Sequence, residues 1–257
     1  MNTSFLLSTN NAQATTSFFD IANYASYIAA FITIVIGVPQ LIKLLKDKKT
    51  GKISFVSFWV FLLGLVCWVI YSAIMPGDML SIAISNTLSL TVYSLTMFFL
   101  YKYSKSHFAT EKQYKKTFII ATTVIILVLI GSWILSILGI IKITPRISSK
   151  IVQTMIGLIF PAFTCLAFMP QIILSFVKKD FSGVSIYMSI LFMLNNILWI
   201  MFWTAQLLLA QQNNEPIVSF ITALTWQSVS MVIFTTQMCF TLYYSHKQNK
   251  NKTIENH

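Results

Sequence analysis

The sequence predicts an all-α integral membrane protein. Seven transmembrane helices are expected, as two parallel three-helix repeats joined by a linker helix (3+1+3). Three observations predict this. First, the chain is 56% hydrophobic and only 10% charged, where a soluble chain carries about 25% charged residues; its mean hydropathy is +0.73. Second, the apolar residues come in blocks of about 20, enough to cross ~30 Å of hydrocarbon as helix. A membrane barrel would show short alternating segments instead. Third, one stretch recurs. PQLIKLLKDKKTGKISFVSFWVFLLGLVCWVIY runs from Pro39 to Tyr71, and PQIILSFVKKDFSGVSIYMSILFMLNNILWIMFW runs from Pro170 to Trp203. A shift of 131 residues puts Pro39 on Pro170, Gln40 on Gln171, Ser54 on Ser185 and Trp68 on Trp199. Gly51 and Gly183 fall one step apart, inside the loop. An internal repeat governs the reading of the whole chain. In a membrane protein, paired repeats with helix breakers at matching places point to a carrier with its site between the halves.

Residues 1–22 form an N-terminal tail, rich in Asn, Thr and Ser and without Lys or Arg, so no signal peptide of the usual kind is expected. The first repeat occupies residues 23–102. Its spans are 23–44, 54–75 and 79–102. Thr50-Gly51-Lys52 supplies turn chemistry between the first two. Pro76-Gly77-Asp78 breaks the chain before the third, with Asp78 as N-cap. Residues 103–150 hold a basic loop, the linker span 117–141 and an outer loop. The linker has no counterpart in either repeat. The second repeat occupies 151–244, with spans at 151–177, 184–210 and 217–244. The tail 245–257 is basic and polar, and is expected to fray.

Seven spans put the two ends on opposite sides. Of the 18 Lys and Arg residues, only Lys142, Arg146 and Lys150 lie on the side opposite the C-terminus. The positive-inside rule therefore sets the C-terminus in the cytoplasm and the N-terminus outside. The same loop positions account for the net charge of +11 without nucleic acid. Each repeat has an odd number of spans, so a linker span is needed for the second to enter the membrane in the direction of the first. Such repeats are related by an axis along the membrane normal. Cys67, Cys165 and Cys239 all fall in apolar spans, with no spacing for a disulfide or a metal. Ile, Lys, Asn and Phe are abundant, which suggests an AT-rich, bacterial genome and hence the plasma membrane.

The candidate site follows from the polar residues inside the spans. Pro39 and Pro170 lack an N–H and free the carbonyls of Val35 and Leu166. A freed carbonyl is tolerated only against protein or a wet cavity, and the amides of Gln40 and Gln171 are at hand to serve them. The functional reading is a pair of hinges; the alternative is a static kink. Asn86 lies in mid-span and should face the interior, to bind a substrate hydroxyl or amide or to bond a neighbouring helix. Trp68 and Trp199 could stack on a sugar ring or apolar face, or simply pack. Asn195, Trp199 and Trp203 share a helix face, with Asn196 beside it. Gln227, Ser230, Phe234 and Gln237 form a semi-polar stripe. All seven acids and all three histidines lie in tails, loops or span ends. Ion-driven carriers usually hold an ionisable group in the membrane, so a chargeless core favours passive movement of a neutral solute.

These residues resemble the PQ-loop superfamily, which includes the SWEET sugar facilitators, cystinosin and the KDEL receptor. The resemblance rests on two Pro-Gln pairs, each followed by a Lys-containing loop, Gly, Ser and a Trp at equal distance. It implies the seven-helix fold and a path between the triplets. The SWEET pattern implies a Trp on the second helix and an Asn on the third around the substrate, which Trp68 and Asn86 match. Trp199 matches the second Trp. Aligning Ala83 with Ala223 puts Trp226 opposite Asn86, with Gln227 next to it, in place of the expected Asn. The prolines of the family pattern early in the second and sixth helices are missing near Val56 and Tyr187.

The function expected is transport of a small polar neutral solute, a sugar first, by alternating-access facilitated diffusion. The substrate-binding residues expected are Trp68, Asn86, Asn195, Asn196, Trp199, Trp226 and Gln227. The hinge residues expected are Pro39, Gln40, Pro170 and Gln171. A second reading is an amino-acid or other metabolite carrier, perturbed by pH if proton-linked. A non-transporting receptor of the KDEL-receptor kind would need charged pocket residues, which the core lacks. No nucleophile–base pair, metal cluster or phosphate loop suggests an enzyme, and no cofactor is expected. The partners expected are a small-molecule substrate and the lipid bilayer; a homo-oligomer is an open alternative.

Overall fold

A computed structural model describes residues 20–21, 24–50, 53–75, 79–178, 185–212 and 217–255. Every regular element among them is helical. The first span is Tyr24–Asp47, in two pieces: α1 covers 24–35 and α2 covers Val38–Asp47. Then come α3 (Phe55–Ile74), α4 (Leu80–Lys102), α5 (Glu111–Ile140), α6 (Lys150–Leu166), α7 (Met169–Lys178), α8 (Ile186–Gln212) and α9 (Val218–Glu255). A 3₁₀ turn at Lys105–His107 precedes α5.

Six spans among the described residues are long and apolar enough to cross a membrane: Tyr24–Asp47, α3, α4, α5, Lys150–Val177 and α8. The seventh expected span lies in α9, whose 38 residues are ample in length. It carries the polar stripe, which lowers its hydropathy. Two boundaries differ from expectation by more than three residues. The fourth helix starts at Glu111 rather than 117, because Thr110 caps it: its hydroxyl accepts from Gln113 N at 3.2 Å. The last helix runs on to Glu255 through the tail that was expected to fray. The turn at Gly51-Lys52, the break at Pro76-Gly77-Asp78 with its cap, Gly183 and the tail 1–19 lie outside the described residues.

Both Pro-Gln sites break their helix at matching places. A proline ring clashes with the carbonyl four residues earlier. Accordingly α1 ends at residue 35, four before Pro39, and α6 ends at Leu166, four before Pro170. The helices resume with Leu41 N donating to Gly37 O at 3.1 Å and Ile172 N donating to Phe168 O at 2.9 Å.

The packing repeats as the sequence does. In the first half α4 packs against both α2 and α3; in the second, α9 packs against both α6 and α8. The halves touch where α3 meets α6 and α7, and where α2 meets α8. α5 packs on α3 and α4. Its far end is tied down by Arg146, whose guanidinium donates to the carbonyls of Ser72, Ala73, Met75 and Gly139 at 2.9–3.0 Å. Those carbonyls belong to the C-terminal ends of α3 and α5, where orphan acceptors and the helix dipoles favour a cation.

Two glycines mark close approach. A Cβ built on Gly64 would stand 2.5 Å from Thr164 Cγ2 and 2.8 Å from Thr164 N, so α3 and α6 cross with their backbones in contact. One on Gly139 would stand 2.7 Å from Ala73 Cα, which does the same for α5 and α3.

Candidate functional site: a cavity between the halves

A cavity of about 80 Å³ lies between the halves. The first half lines it with Thr33, Ile36, Phe61, Leu65, Trp68, Ile82, Asn86 and Ser89. The second half supplies Pro161, Thr164, Cys165, Phe192, Asn195, Asn196, Trp199, Trp203, Gln227 and Ser230. None of these carries a charge. Thus Trp68, Asn86, Asn195, Asn196, Trp199 and Gln227 come together around one space.

Trp226 is not among the lining residues; its backbone carbonyl accepts from Cys165 Sγ at 3.1 Å. Trp226 lies one residue, a turn of about 100°, from Gln227, and of the two it is Gln227 that lines the cavity. The lining shows the working offset on the third helices. Ser89 stands to Ser230 as Asn86 stands to Gln227, each 141 residues apart. Aligning Ala83 with Ala223 was therefore one residue out of phase. Ser230 belongs to the semi-polar stripe read from the sequence, whereas Thr33 and Thr164 were missed, although the repeat shift already relates Thr33 to Thr164.

The amides differ in their bonding. Asn86 Nδ2 donates to Ile82 O at 2.9 Å. Asn195 Oδ1 accepts from Thr33 Oγ1 at 3.0 Å, across the halves. Asn196 is buried, and its Nδ2 has no protein partner. Buried polar groups are nearly always paired, which makes this amide a ready donor at the wall.

Toward α2 and α7 the cavity ends in a plug of rings: Phe58, Phe61, Tyr93, Phe168, Phe192 and Phe234, all buried. Phe168 is its hub, with centroids 5.5–6.0 Å from Phe58, Phe61, Phe192 and Phe234. Phe192 and Phe234 stack at 3.8 Å. At the opposite end a wider hollow, about 310 Å³, is bordered by Met75, Met79, Lys150 and Val218. It shares Trp68, Ile82, Pro161 and Trp203 with the cavity.

Beyond the plug, the two glutamines reach across. Gln40 Oε1 accepts from the backbone N of Ser185 at 2.9 Å. Gln171 Oε1 accepts from the backbone N of Ser54 at 2.6 Å. Ser54 caps α3, its hydroxyl accepting from Ser57 N. Ser185 stands at the start of α8. Each half thus holds the head of the other half's second helix, in bonds the repeat relates to one another. The expected service to the freed carbonyls needs an amide N–H; the amide oxygens are committed across the halves. A Gln171→Leu variant is expected to leave Ser54 N without its acceptor and to cost about 1–3 kcal/mol. Gln40→Leu should do the same at Ser185. Thermal unfolding in detergent measures both, and an unchanged midpoint would contradict the latch.

An uncharged cavity walled by amides, hydroxyls and indoles, between two repeated halves of a membrane-embedded helical protein, is the architecture of a small-solute transporter. Comparison with known proteins agrees. The model of the PQ loop repeat matches twice, at residues 21–81 and 152–212. The sugar transporter SemiSWEET of Leptospira biflexa serovar Patoc is 33% identical over 85 residues, which are 33% of this chain and 95% of that protein. The structure of a eukaryotic SWEET transporter superposes with a TM-score of 0.54 at 15% identity, covering 90% of this chain and 98% of that one. The chain belongs to the PQ-loop/SWEET family of membrane transporters. It is an integral membrane protein that moves a small molecule rather than an enzyme.

Proposed function

We propose that this protein carries a small, polar, neutral solute, a sugar first, by facilitated diffusion with alternating access. The observation that carries the reading is the chargeless cavity. Its donors and acceptors are amides and hydroxyls, suited to a solute of many hydroxyls, and its indoles suit the apolar face of a sugar ring. The volume is well below the ~300 Å³ at which drug-sized sites begin, in keeping with a small solute. Trp68, Asn86, Asn195, Asn196, Trp199 and Gln227 bind it. Trp226 does not line the cavity, and its backbone carbonyl accepts from Cys165 Sγ.

In this reading the wide hollow faces outside, and the ring plug with its crossed glutamines closes the cytoplasmic side. Pro39 and Pro170 are the hinges. The two repeats, 23–102 and 151–244, lie parallel, with α5 as the linker, the N-terminus outside and the C-terminus inside a bacterial plasma membrane. The loop lysines support that orientation, and the similarity to SemiSWEET, a sugar transporter, supports the solute.

The test is uptake into liposomes holding the purified protein. D-glucose, sucrose, glycine, L-alanine and adenosine are offered with and without a proton gradient. Saturable sugar uptake indifferent to the gradient is expected. No flux of any of them would overturn the reading. Amino-acid uptake driven by the gradient would establish the second reading, a metabolite carrier, which Gln227 in place of an asparagine favours.

A further inference from the structure

Two of the three indoles that border the cavity, those of Trp68 and Trp199, find their acceptors on the opposite half of the chain. Trp68 Nε1 donates to Thr164 Oγ1 at 3.3 Å. Trp199 Nε1 donates to Thr33 Oγ1 at 3.4 Å. The donors are 131 residues apart and so are the acceptors. One arrangement is therefore built twice, once in each seam.

Each threonine is prepared to accept. A hydroxyl has one proton and two lone pairs. Thr164 spends its proton on Pro161 O at 3.0 Å. Thr33 has Ala29 O at 2.8 Å and Asn195 Oδ1 at 3.0 Å to choose between. In both cases the lone pairs are left for the indole. A buried N–H without an acceptor is costly, so each ring is held in the plane that reaches its threonine. Both threonines line the cavity themselves.

Resting on the reading of the cavity as a solute site, we propose that Thr33 and Thr164 are positioning residues. Each acts through the tryptophan of the other half and sets the ring plane offered to the solute. Because ring and acceptor belong to different halves, that plane holds only while the seam between them is closed at this level. The aromatic walls thus report the spacing of the halves to whatever lies between them.

The full chain, labelled with 5-fluorotryptophan and placed in liposomes, gives a fluorine spectrum of its six tryptophans. Trp68→Phe and Trp199→Phe assign the two resonances. Thr164→Val, which keeps the shape and removes the hydroxyl, is expected to move the Trp68 resonance; Thr33→Val is expected to move that of Trp199. Thr164→Ser and Thr33→Ser should return them. In D-glucose uptake the valine variants should raise KM about tenfold, the worth of one hydrogen bond. The maximal rate should stay within about twofold, and the serine variants should restore KM. Resonances unmoved by valine, serine variants that shift as far as valine ones, or a fall in maximal rate with KM unchanged would each overturn the proposal. If the unaltered protein moves another of the offered solutes instead of D-glucose, that solute takes its place in the assay; if it moves none of them, the solute reading and the transport half of the inference fall together. The fluorine arm then decides the ring positions on its own.

Discussion

A Gly64→Val variant is expected to lose the close packing of its two halves and to unfold well below the unaltered protein. The obstacle is main chain. A Cβ at this position would meet Thr164 N at 2.8 Å and Phe163 C at 3.1 Å, as well as Thr164 Cγ2 at 2.5 Å. A side-chain tip could turn aside; a helix backbone cannot. Overpacking usually costs ~1–3 kcal/mol, and two branched methyls against a backbone belong at or beyond the top of that range. Gly64→Ala should show a lesser form of the same loss. Gly131→Ala is the control, since nothing stands within 4 Å of its built Cβ. It should be neutral or gain about 0.5–1 kcal/mol by stiffening a helix interior. Thermal unfolding in detergent, followed by near-UV circular dichroism, measures all three. Equal midpoints for Gly64→Val and Gly131→Ala would refute the close crossing.

The second large effect is expected at Phe168. This ring is fully buried and touches four others. Phe→Ala in such a setting costs about 3–5 kcal/mol, transfer and cavity together. The repeat offers no substitute ring, because the counterpart of Phe168 is Gly37. A Cβ built on Gly37 would already be in ordinary contact with Val92 at 3.4 Å and Tyr93 at 3.7 Å, so the bare position lets Tyr93 of the plug lie close. One half thus supplies the central ring and the other makes room beside it. Phe31→Ala serves as the comparison, its ring being 65% exposed on the outer surface. It should move the midpoint far less, since lipid replaces protein around that ring. Similar midpoints for the two variants would contradict the plug.

The spans and the repeat were legible because both rest on local pattern. A run of apolar residues long enough to cross hydrocarbon needs no partner to be recognised, and Pro39 and Pro170 break their helices by a clash within the chain. The polar lining was legible in part. Asn86, Asn195, Asn196 and Gln227 stand out because amides are costly in mid-span. Trp226 does not line the cavity and Gln227 does, a distinction hidden in the sequence because α9 carries polar and aromatic residues at adjacent positions and only packing selects the phase. The glutamine latch could not be read at all. Its acceptors bond backbone N–H groups 117 and 145 residues away, and a backbone group leaves no mark on the sequence. The plug was hidden for a similar reason: Phe is abundant, with 21 in the chain, so the five that converge with Tyr93 look like any others.

The clamp at Arg146 bears on what can move as one piece. α5 is riveted to its neighbours along its length. Arg146 and Ile147 hold its far end to α3. Trp133 and Ser136 bond Thr91 and Thr87 of α4 in the middle. Tyr114 grips the carbonyl of Lys102 at the near end. Mechanically α5 is no free tether but a fourth beam of the first half. Any rocking then sets four beams against three, and the strand that must flex between them shrinks to the few residues separating Ile147 from Lys150.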